Sequence, residues 1–188
     1  AALGVSNSGT ISSEGALRID TIGDIANHGI ISAQRHTTLM ASGATSRISG
    51  TATSILGASV QNDGSLGATG DLSVTATHEI ALHGQNLTGG NQNLNAQTLD
   101  LSGSTTIGRN LNLRTGRGDA ELNHATLLAD GSLNLFTAGT AHADAAQIAA
   151  GQLNLVAHDI SNRQGSLQQT GGGTLNITLP GTLDNTQG

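Results

Sequence analysis

The 188-residue sequence contains 27 Gly, one Pro, one Phe and no Cys, Trp, Tyr or Lys, and its formal net charge is −6. A compact globular domain of this length usually fills its centre with aromatic and bulky aliphatic side chains, so this composition indicates a thin core of Leu, Ile, Val and Ala. Scattered arginines without any lysine argue against binding nucleic acid, heparin-like polymers or anionic lipid. No apolar run approaches the roughly 18 residues of a membrane helix, so we expect no membrane insertion.

A short alternating motif, Leu-Asn-Leu or a variant of it, recurs along the chain. Weaker copies begin at Leu17, Leu39, Leu72 and Leu94, and stronger copies begin at Leu111, Leu133, Leu153 and Leu175. Most steps between successive first leucines are alike, but the step from Leu39 to Leu72 is long and the step from Leu94 to Leu111 is short. A period near twenty is typical of a solenoid, in which each repeat packs only on its neighbours.

A second element lies between these copies and reads apolar, any residue, Asn, one or two residues, Gly, any residue, Ile or Leu. Its copies begin at Val5, Ile25, Val60, Ile160 and Leu183. Apolar residues alternate with the period of a β-strand, and the runs end at Gly, Asn or Asp, which favour turns. Three short strands in a repeat of roughly 20–22 residues predict an all-β fold, a parallel β-helix of about nine coils spaced ~4.8 Å apart.

The repeats leave no room for a linker. We therefore expect residues 1–188 to form a single elongated segment, a fragment of a longer array, because both ends fall within repeat-like sequence. The long step indicates an irregular coil around residues 42–59, and the short step indicates a tight coil between Leu94 and Leu111. A cut β-helix exposes strand edges, so end-to-end self-association of the fragment is also expected.

The central residue of each Leu-Asn-Leu copy points outward if its two flanking leucines point into the core. We therefore predict an outer ladder of asparagine amides that hydrogen-bond to one another along the solenoid. Its members are Asn95, Asn112, Asn134, Asn154 and Asn176. A second stack, at a corner of the coil, is expected to contain Asn27, Asn62 and Asn162.

Arg117, Gly118 and Asp119 form a tripeptide that reads as a recognition signal. Such a tripeptide holds a cation and a carboxylate apart across a flexible glycine, and the carboxylate can reach a metal ion on an integrin-type receptor. The next apolar strand begins seven or eight residues after the first leucine in three regular coils, but here Leu122 follows Leu111 by eleven. The extra residues favour an exposed corner, so these three are the candidate receptor-binding residues. The alternative is a chance occurrence in an ordinary turn.

Signals for metal binding and catalysis are weak. His78, Glu79 and His83 resemble a zinc-protease motif, but the spacing is H-E-x-x-x-H instead of H-E-x-x-H. Two pairs of carboxylates, the residue type that cleaves polysaccharides, lack the aromatic platforms a sugar needs. These pairs are Asp20 with Asp24, and Asp119 with Glu121. We therefore predict no metal site, no cofactor and no enzymatic activity.

The G-x-L-N-L motif, the x-N-x-G-x-[IL] element and the alternation of small polar with aliphatic residues resemble the shaft repeats of the filamentous haemagglutinin family. This resemblance covers essentially the whole chain. It implies a right-handed β-helix of a secreted or cell-surface adhesin that an outer-membrane partner transporter exports in a two-partner secretion system. It also implies attachment to host cells, for which the Arg-Gly-Asp corner is the candidate contact with an integrin.

Three other functions are compatible with the same repeats. A purely structural spacer would project a binding or toxin domain of the parent protein and would need only the stacked coils. The stalk of a related toxin-delivery protein would need a toxic domain elsewhere. A polysaccharide lyase or hydrolase would need carboxylates converging in a groove.

Overall fold

The computed structural model of the chain describes residues 5–7, 9–15, 17–20, 25–27, 30–41, 47–62 and 65–188. Every regular element in these residues is a β-strand. The strands are β1 Val5–Asn7, β2 Thr10–Ser13, β3 Leu17–Asp20, β4 Ile25–Asn27, β5 Ile30–Ala41, β6 Arg47–Asn62, β7 Ser65–Ala68, β8 Leu72–Leu82, β9 Gln85–Thr88, β10 Asn91–Ala96, β11 Thr98–Asp100, β12 Thr105–Gly108, β13 Asn110–Thr115, β14 Ala120–Glu121, β15 Thr126–Phe136, β16 Thr140–His142, β17 Gln147–Val156, β18 Asp159–Ser161, β19 Ser166–Gln169, β20 Asn176–Thr178 and β21 Leu183–Asp184.

The strands pair in parallel and build a solenoid with three faces. The first face stacks the Leu-Asn-Leu strands, for example β13 on β15 and β15 on β17. The second face follows it in each coil and stacks β11, β14, β16, β18 and β21. The third face closes the coil and stacks β7, β9, β12 and the first part of β15. The prediction of an all-β parallel solenoid is confirmed.

In the continuously described residues 65–188 the parallel solenoid has about six turns, against the number of about nine expected for the whole chain. Backbone pairing on the first face nevertheless continues upstream of the fully described coils, from β8 through β6 and β5 to β3. None of the described segments is a helix of the length and apolarity that a membrane span requires.

Strand register corrects two of the predicted anchor positions. Leu94 pairs with Val74 and Leu113, so the residue in register with Leu72 and Leu111 is Gln92. Measured from Gln92, the coil that was expected to be tight has nearly the same length as the coil before it. The sequence pattern places the start of this copy at Leu94, one inward position too late, because a polar residue, Gln92, occupies the first inward position of the strand.

The same displacement explains the long step between Leu39 and Leu72. Leu39 pairs with Ile19 and not with Leu17. Strand β6 then pairs with both β5 and β8, so it supplies a coil of its own within the long step. Of the stretch expected to be irregular, residues 47–59 lie in this strand, and residues 42–46 lie outside the described residues.

The core is a column of aliphatic side chains inside the coils. On the first face the inward leucines are fully buried, as at Leu111, Leu133 and Leu153. Small alanines such as Ala120 and Ala141 occupy the inward positions of the second face. Each side chain therefore packs on its equivalents one coil above and one coil below, which is how a chain with one phenylalanine buries a continuous core.

A tight turn between the second and third faces recurs in successive coils. The Ala125 amide donates to the Leu122 carbonyl over 3.0 Å, and the Ala146 amide donates to the Ala143 carbonyl over 3.1 Å. The third residue of each turn has left-handed backbone, with φ of 67°, 59°, 55°, 58° and 60° at Gly103, His124, Ala145, Gln164 and Gln187. Glycine adopts this conformation most easily, but only the first of these turns contains it there.

The Ala145→Gly variant is expected to be more stable than the natural chain. Its φ of 55° strains an L-residue, and the relief should raise the free energy of unfolding by about 0.5–1 kcal/mol. Urea denaturation would measure this change. In the control variant Ala149→Gly the glycine falls within strand β17, where it should lower stability by about 0.5–1 kcal/mol. Equal losses in both variants would contradict this account of the turn.

Candidate functional site

The Arg-Gly-Asp tripeptide lies at the corner between β13 and β14, on the way from the first face to the second. Arg117 is exposed, and the Asp119 side chain is 51% exposed. Both charged groups are therefore accessible to solvent. Arg114, at the end of β13, is held separately, because its guanidinium lies 4.6 Å from the centre of the Phe136 ring on the next coil.

The backbone of the tripeptide is fastened to the neighbouring coils. The Gly118 amide donates to the Gln97 carbonyl over 2.9 Å. The Gly118 carbonyl accepts hydrogen bonds from the buried hydroxyls of Thr115 at 2.8 Å and Thr137 at 2.7 Å. A Cβ added to Gly118 would lie 2.4 Å from Cγ2 of Thr98. The close contact with Thr98 therefore favours glycine here, and the backbone hydrogen bonds tie the corner to the coils on either side.

The Asp119 carboxylate has a structural partner. Its Oδ1 accepts a hydrogen bond of 2.7 Å from the backbone amide of Thr140, one coil further along. The same contact recurs two coils later, where Asp159 Oδ1 accepts from the Thr182 amide over 2.6 Å. Asp119 therefore belongs to a repeated cap in which a carboxylate satisfies an amide at the start of the next coil's second-face strand.

Three side chains of metal-ligating type converge at this corner. The Nε2 atom of His142 lies 4.0 Å from Oδ2 of Asp119 and 3.7 Å from Oε1 of Glu121. Each carboxylate also uses its other oxygen, since Asn123 donates to Glu121 Oε2 over 3.3 Å and the Thr140 amide donates to Asp119 Oδ1. All three side chains are more than a third exposed. Together they form a solvated polar corner.

Sequence reasoning missed this convergence. The available signal was the coil period, because His142 follows Glu121 by one coil and pairs with it in register. The histidines of the protease-like stretch are engaged elsewhere. His83 Nε2 lies 3.0 Å from Asp100 Oδ2, and His78 Nδ1 lies 3.2 Å from the Thr77 hydroxyl.

Acid is expected to weaken coupling between coils through Asp144. Its carboxylate accepts hydrogen bonds from the Ser161 hydroxyl and from the amide and guanidinium of Arg163, and these contacts lower its pKa from 3.8 to about 2. Because the folded-state pKa lies below the unfolded value, this stabilisation is complete above about pH 4 and is lost as the pH falls towards 2. Denaturation at a series of pH values should show a smaller acid-induced loss in Asp144→Asn. Parallel curves for the two proteins would exclude this contribution.

An asparagine ladder runs along the outer side of the first face. Each amide nitrogen donates to the side-chain oxygen of the asparagine one coil before it, over 2.7–2.8 Å. The ladder consists of Asn93, Asn112, Asn134, Asn154 and Asn176. Asn95, which the sequence placed in the ladder, is not a member, because it is in register with Arg114. The correction follows from the displaced anchor at Leu94.

The predicted corner stack of asparagines is interrupted. Asn62 is in register with Leu82, not with another asparagine. Asn162 donates to Oδ1 of Asn185 on the next coil. Asn27 pairs with Asn7 in the first coils. Asparagine therefore recurs at this corner only in separate short runs.

Comparison with known proteins shows two similar CdiA proteins. Over 135 residues, 72% of this chain, the sequence is 39% identical to a protein of Yersinia pestis named Toxin CdiA. Over 100 residues, 53% of this chain, it is 32% identical to a protein of Burkholderia pseudomallei strain 1026b named tRNA nuclease CdiA-2. The matched stretches span only 4% and 3% of these relatives. No protein-family profile matches the chain, and no solved structure matches it.

These names correct two predictions. The prediction of no enzymatic activity is contradicted, since one relative is named a tRNA nuclease. The exclusion of nucleic acid as a partner is corrected by the same name, because that relative is named for tRNA. Composition within a short repeat segment could reveal neither property.

The relatives also bear on the adhesin resemblance. Neither is named a filamentous haemagglutinin. Membership of that family therefore remains a prediction, and so does identity with the Bordetella filamentous haemagglutinin, which the tripeptide favours. CdiA proteins are secreted and exposed at the cell surface, so the predicted localisation is confirmed. The chain is a secreted, surface-exposed β-solenoid similar to a short part of CdiA toxins.

Proposed function

We propose that this chain is a stretch of the stalk of a CdiA-type toxin and acts as a spacer between other parts of that protein. The observation that carries the proposal is the unbroken register of the first face, in which β8, β10, β13, β15, β17 and β20 stack in turn. Contacts in such a stack are made between neighbouring coils, so the length of the rod can change by whole coils without loss of the fold.

The proposal extends to the partners and activity of the parent protein. An outer-membrane transporter would export the chain in a two-partner system, and the coils would then fold outside the cell. The absence of cysteine is compatible with export of an unfolded chain. The parent protein would carry a toxic activity of the kind named for its relatives, including nuclease activity on tRNA.

Deletion of single coils in the parent protein tests the spacer function. Removal of residues 133–152 places Leu153 where Leu133 was and keeps every downstream strand in register. We expect secretion, surface display and inhibition of target cells to persist within about twofold, because the spacer loses only ~4.8 Å of length. Deletion of residues 133–142 shifts the register by half a coil and should abolish surface display.

Two outcomes would contradict the spacer function. If the whole-coil variant reaches the surface but no longer inhibits target cells, the deleted coil must carry a specific site. If the half-coil variant is displayed normally, register is not what the segment contributes.

A second candidate function is attachment to host cells through the Arg-Gly-Asp corner. The observation that favours it is the exposure of Arg117 and of half the Asp119 side chain. An integrin-type receptor would have to approach a corner whose backbone is hydrogen-bonded to the neighbouring coils. It would also have to share a carboxylate whose Oδ1 is already bound by the Thr140 amide.

The contacts of the tripeptide decide which variant can test attachment to host cells. Changes at Gly118 or Asp119 would disturb contacts between coils, whereas Arg117→Ala removes only an exposed side chain. If the corner is a receptor contact, integrin-bearing cells should adhere to surfaces coated with the natural chain but not with this variant. A matched deletion of residues 111–132 removes the tripeptide together with one whole coil. Unchanged adhesion in both variants would exclude the corner as the contact.

A further inference from the structure

Two inward rows of the solenoid change from apolar to polar in the same place. On the first face the register-paired inward residues are Leu72, Gln92, Leu111, Leu133 and Leu153. On the third face they are Leu66, Asn86, Thr106, Leu127 and Ile148. Asn86 and Gln92 lie on consecutive strands, β9 and β10, where one coil closes and the next begins.

These amides are enclosed and poorly satisfied. Gln92 and Asn86 are both 0% exposed. Neither polar atom of the Gln92 side chain has a hydrogen-bond partner, and Oδ1 of Asn86 has none. The Nδ2 atom of Asn86 donates to the Thr106 hydroxyl over 3.2 Å and to the Leu82 carbonyl over a long 3.4 Å. Burying amide atoms without partners costs free energy that solvation would restore.

Two hydroxyls extend this set, which we call the polar layer: Asn86, Gln92, Ser104 and Thr106. Ser104 and Thr106 are buried, and their hydroxyl oxygens lie 3.2 Å apart. The second face stays apolar through the same coils, with Ile80, Leu99 and Ala120 in register. The polar layer therefore interrupts one inward row on each of two faces, whereas Leu94 on β10 and the inward row of the second face stay apolar and connect the coils.

We propose that the polar layer is a built-in opening point, at which β9 and β10 separate from neighbouring coils before the coils downstream unfold. Opening there gives the orphaned amide atoms access to water, and it exposes less buried aliphatic surface than opening of an all-leucine coil would. Local opening follows the lowest free energy available, so it should be concentrated in this coil. The solenoid would then respond to tension or heat by dividing at a fixed position, whichever function the parent protein has.

Hydrogen exchange of the whole chain, followed by mass spectrometry, tests the opening point. Peptides covering residues 85–96 should exchange at least tenfold faster than peptides covering residues 126–136 and 147–156. The variant Gln92→Leu restores the apolar row and should slow exchange of residues 85–96 at least tenfold while leaving residues 147–156 unchanged. The control Asn95→Leu adds the same side chain on the exposed side of the same strand and should change neither.

The variant Asn86→Leu provides an independent second test, because it restores the row on the third face and is available if Gln92→Leu does not fold. It too should slow exchange of residues 85–96. Uniform exchange across the coils would overturn the proposal. So would faster exchange of residues 85–96 in a folded variant, since that would mean the amides stabilise the coil.

Discussion

Replacing Leu133 by alanine is expected to lower the free energy of unfolding by about 2–5 kcal/mol. Leu133 is 0% exposed and is in register with Leu111 and Leu153, so its side chain is enclosed by a leucine on either side along the rod. Each coil is held only by its two neighbours, and a cavity in one coil therefore weakens two interfaces. Urea denaturation followed by circular dichroism would measure the loss.

The control for this prediction is Leu128→Ala. Leu128 lies in the same strand, β15, but points outward and is 36% exposed. Its truncation removes little buried surface and leaves no enclosed cavity, so the expected loss is below about 1 kcal/mol. Equal losses for the two variants would mean that the rows of leucine do not form the core.

Replacing Gly151 by alanine is expected to cost about 1–3 kcal/mol through overpacking. A Cβ at this position would lie 2.7 Å from the carbonyl oxygens of both Asp130 and Gly131, on the previous coil. These are backbone atoms in a stacked corner, so they cannot rotate away as a side chain could. The coils would have to move apart locally, which weakens the hydrogen bonds between them.

The matched control is Gly172→Ala, because a Cβ there has no atom within 4 Å. Thermal unfolding should show a lower midpoint for the Gly151 variant and an unchanged midpoint for the Gly172 variant. A neutral Gly151 variant would show that the corners are less closely packed than the structure indicates.

The fold was predictable because its signal is local and repeated. Inward leucines separated by one outward residue give the strand period, and the return of Leu111 at Leu133 and Leu153 gives the coil length. Register was harder to predict. Because Gln92 is polar, the copy on this strand looks as if it begins at Leu94, one inward position too late. That shift made the spacing between successive copies irregular.

The error in the asparagine ladder has the same origin. Asn95 follows Leu94 as Asn112 follows Leu111, so the sequence pattern alone selects Asn95. Pairing places Leu94 beside Leu113, and the outward residue that precedes it, Asn93, then meets Asn112. The Leu-Asn pattern alone fits both registers. The pairing of the buried residues on neighbouring coils decides between them.

The corner contacts were missed because they join residues one coil apart, and a reading of the tripeptide by itself does not use the coil period. From the sequence, Asp119 is the end of a recognition tripeptide and Gly118 is a flexible spacer. In the folded chain the same aspartate caps the Thr140 amide, and the glycine permits contact with Thr98. The nuclease activity named for one relative was missed for another reason. The matched part of the chain corresponds to only 4% and 3% of the length of the relatives.

Stacking in register is the central claim, and paired spin labels measure it most directly. Thr75, Asn95, Arg114, Phe136, Val156 and Thr178 form one row on the first face. The chain has no cysteine, so single cysteines can be introduced and labelled cleanly. Labels at 75 and 178 should lie about 24 Å apart and labels at 95 and 178 about 19 Å apart, a difference of one coil. Broad distributions, or equal distances for the two pairs, would contradict the stacked solenoid.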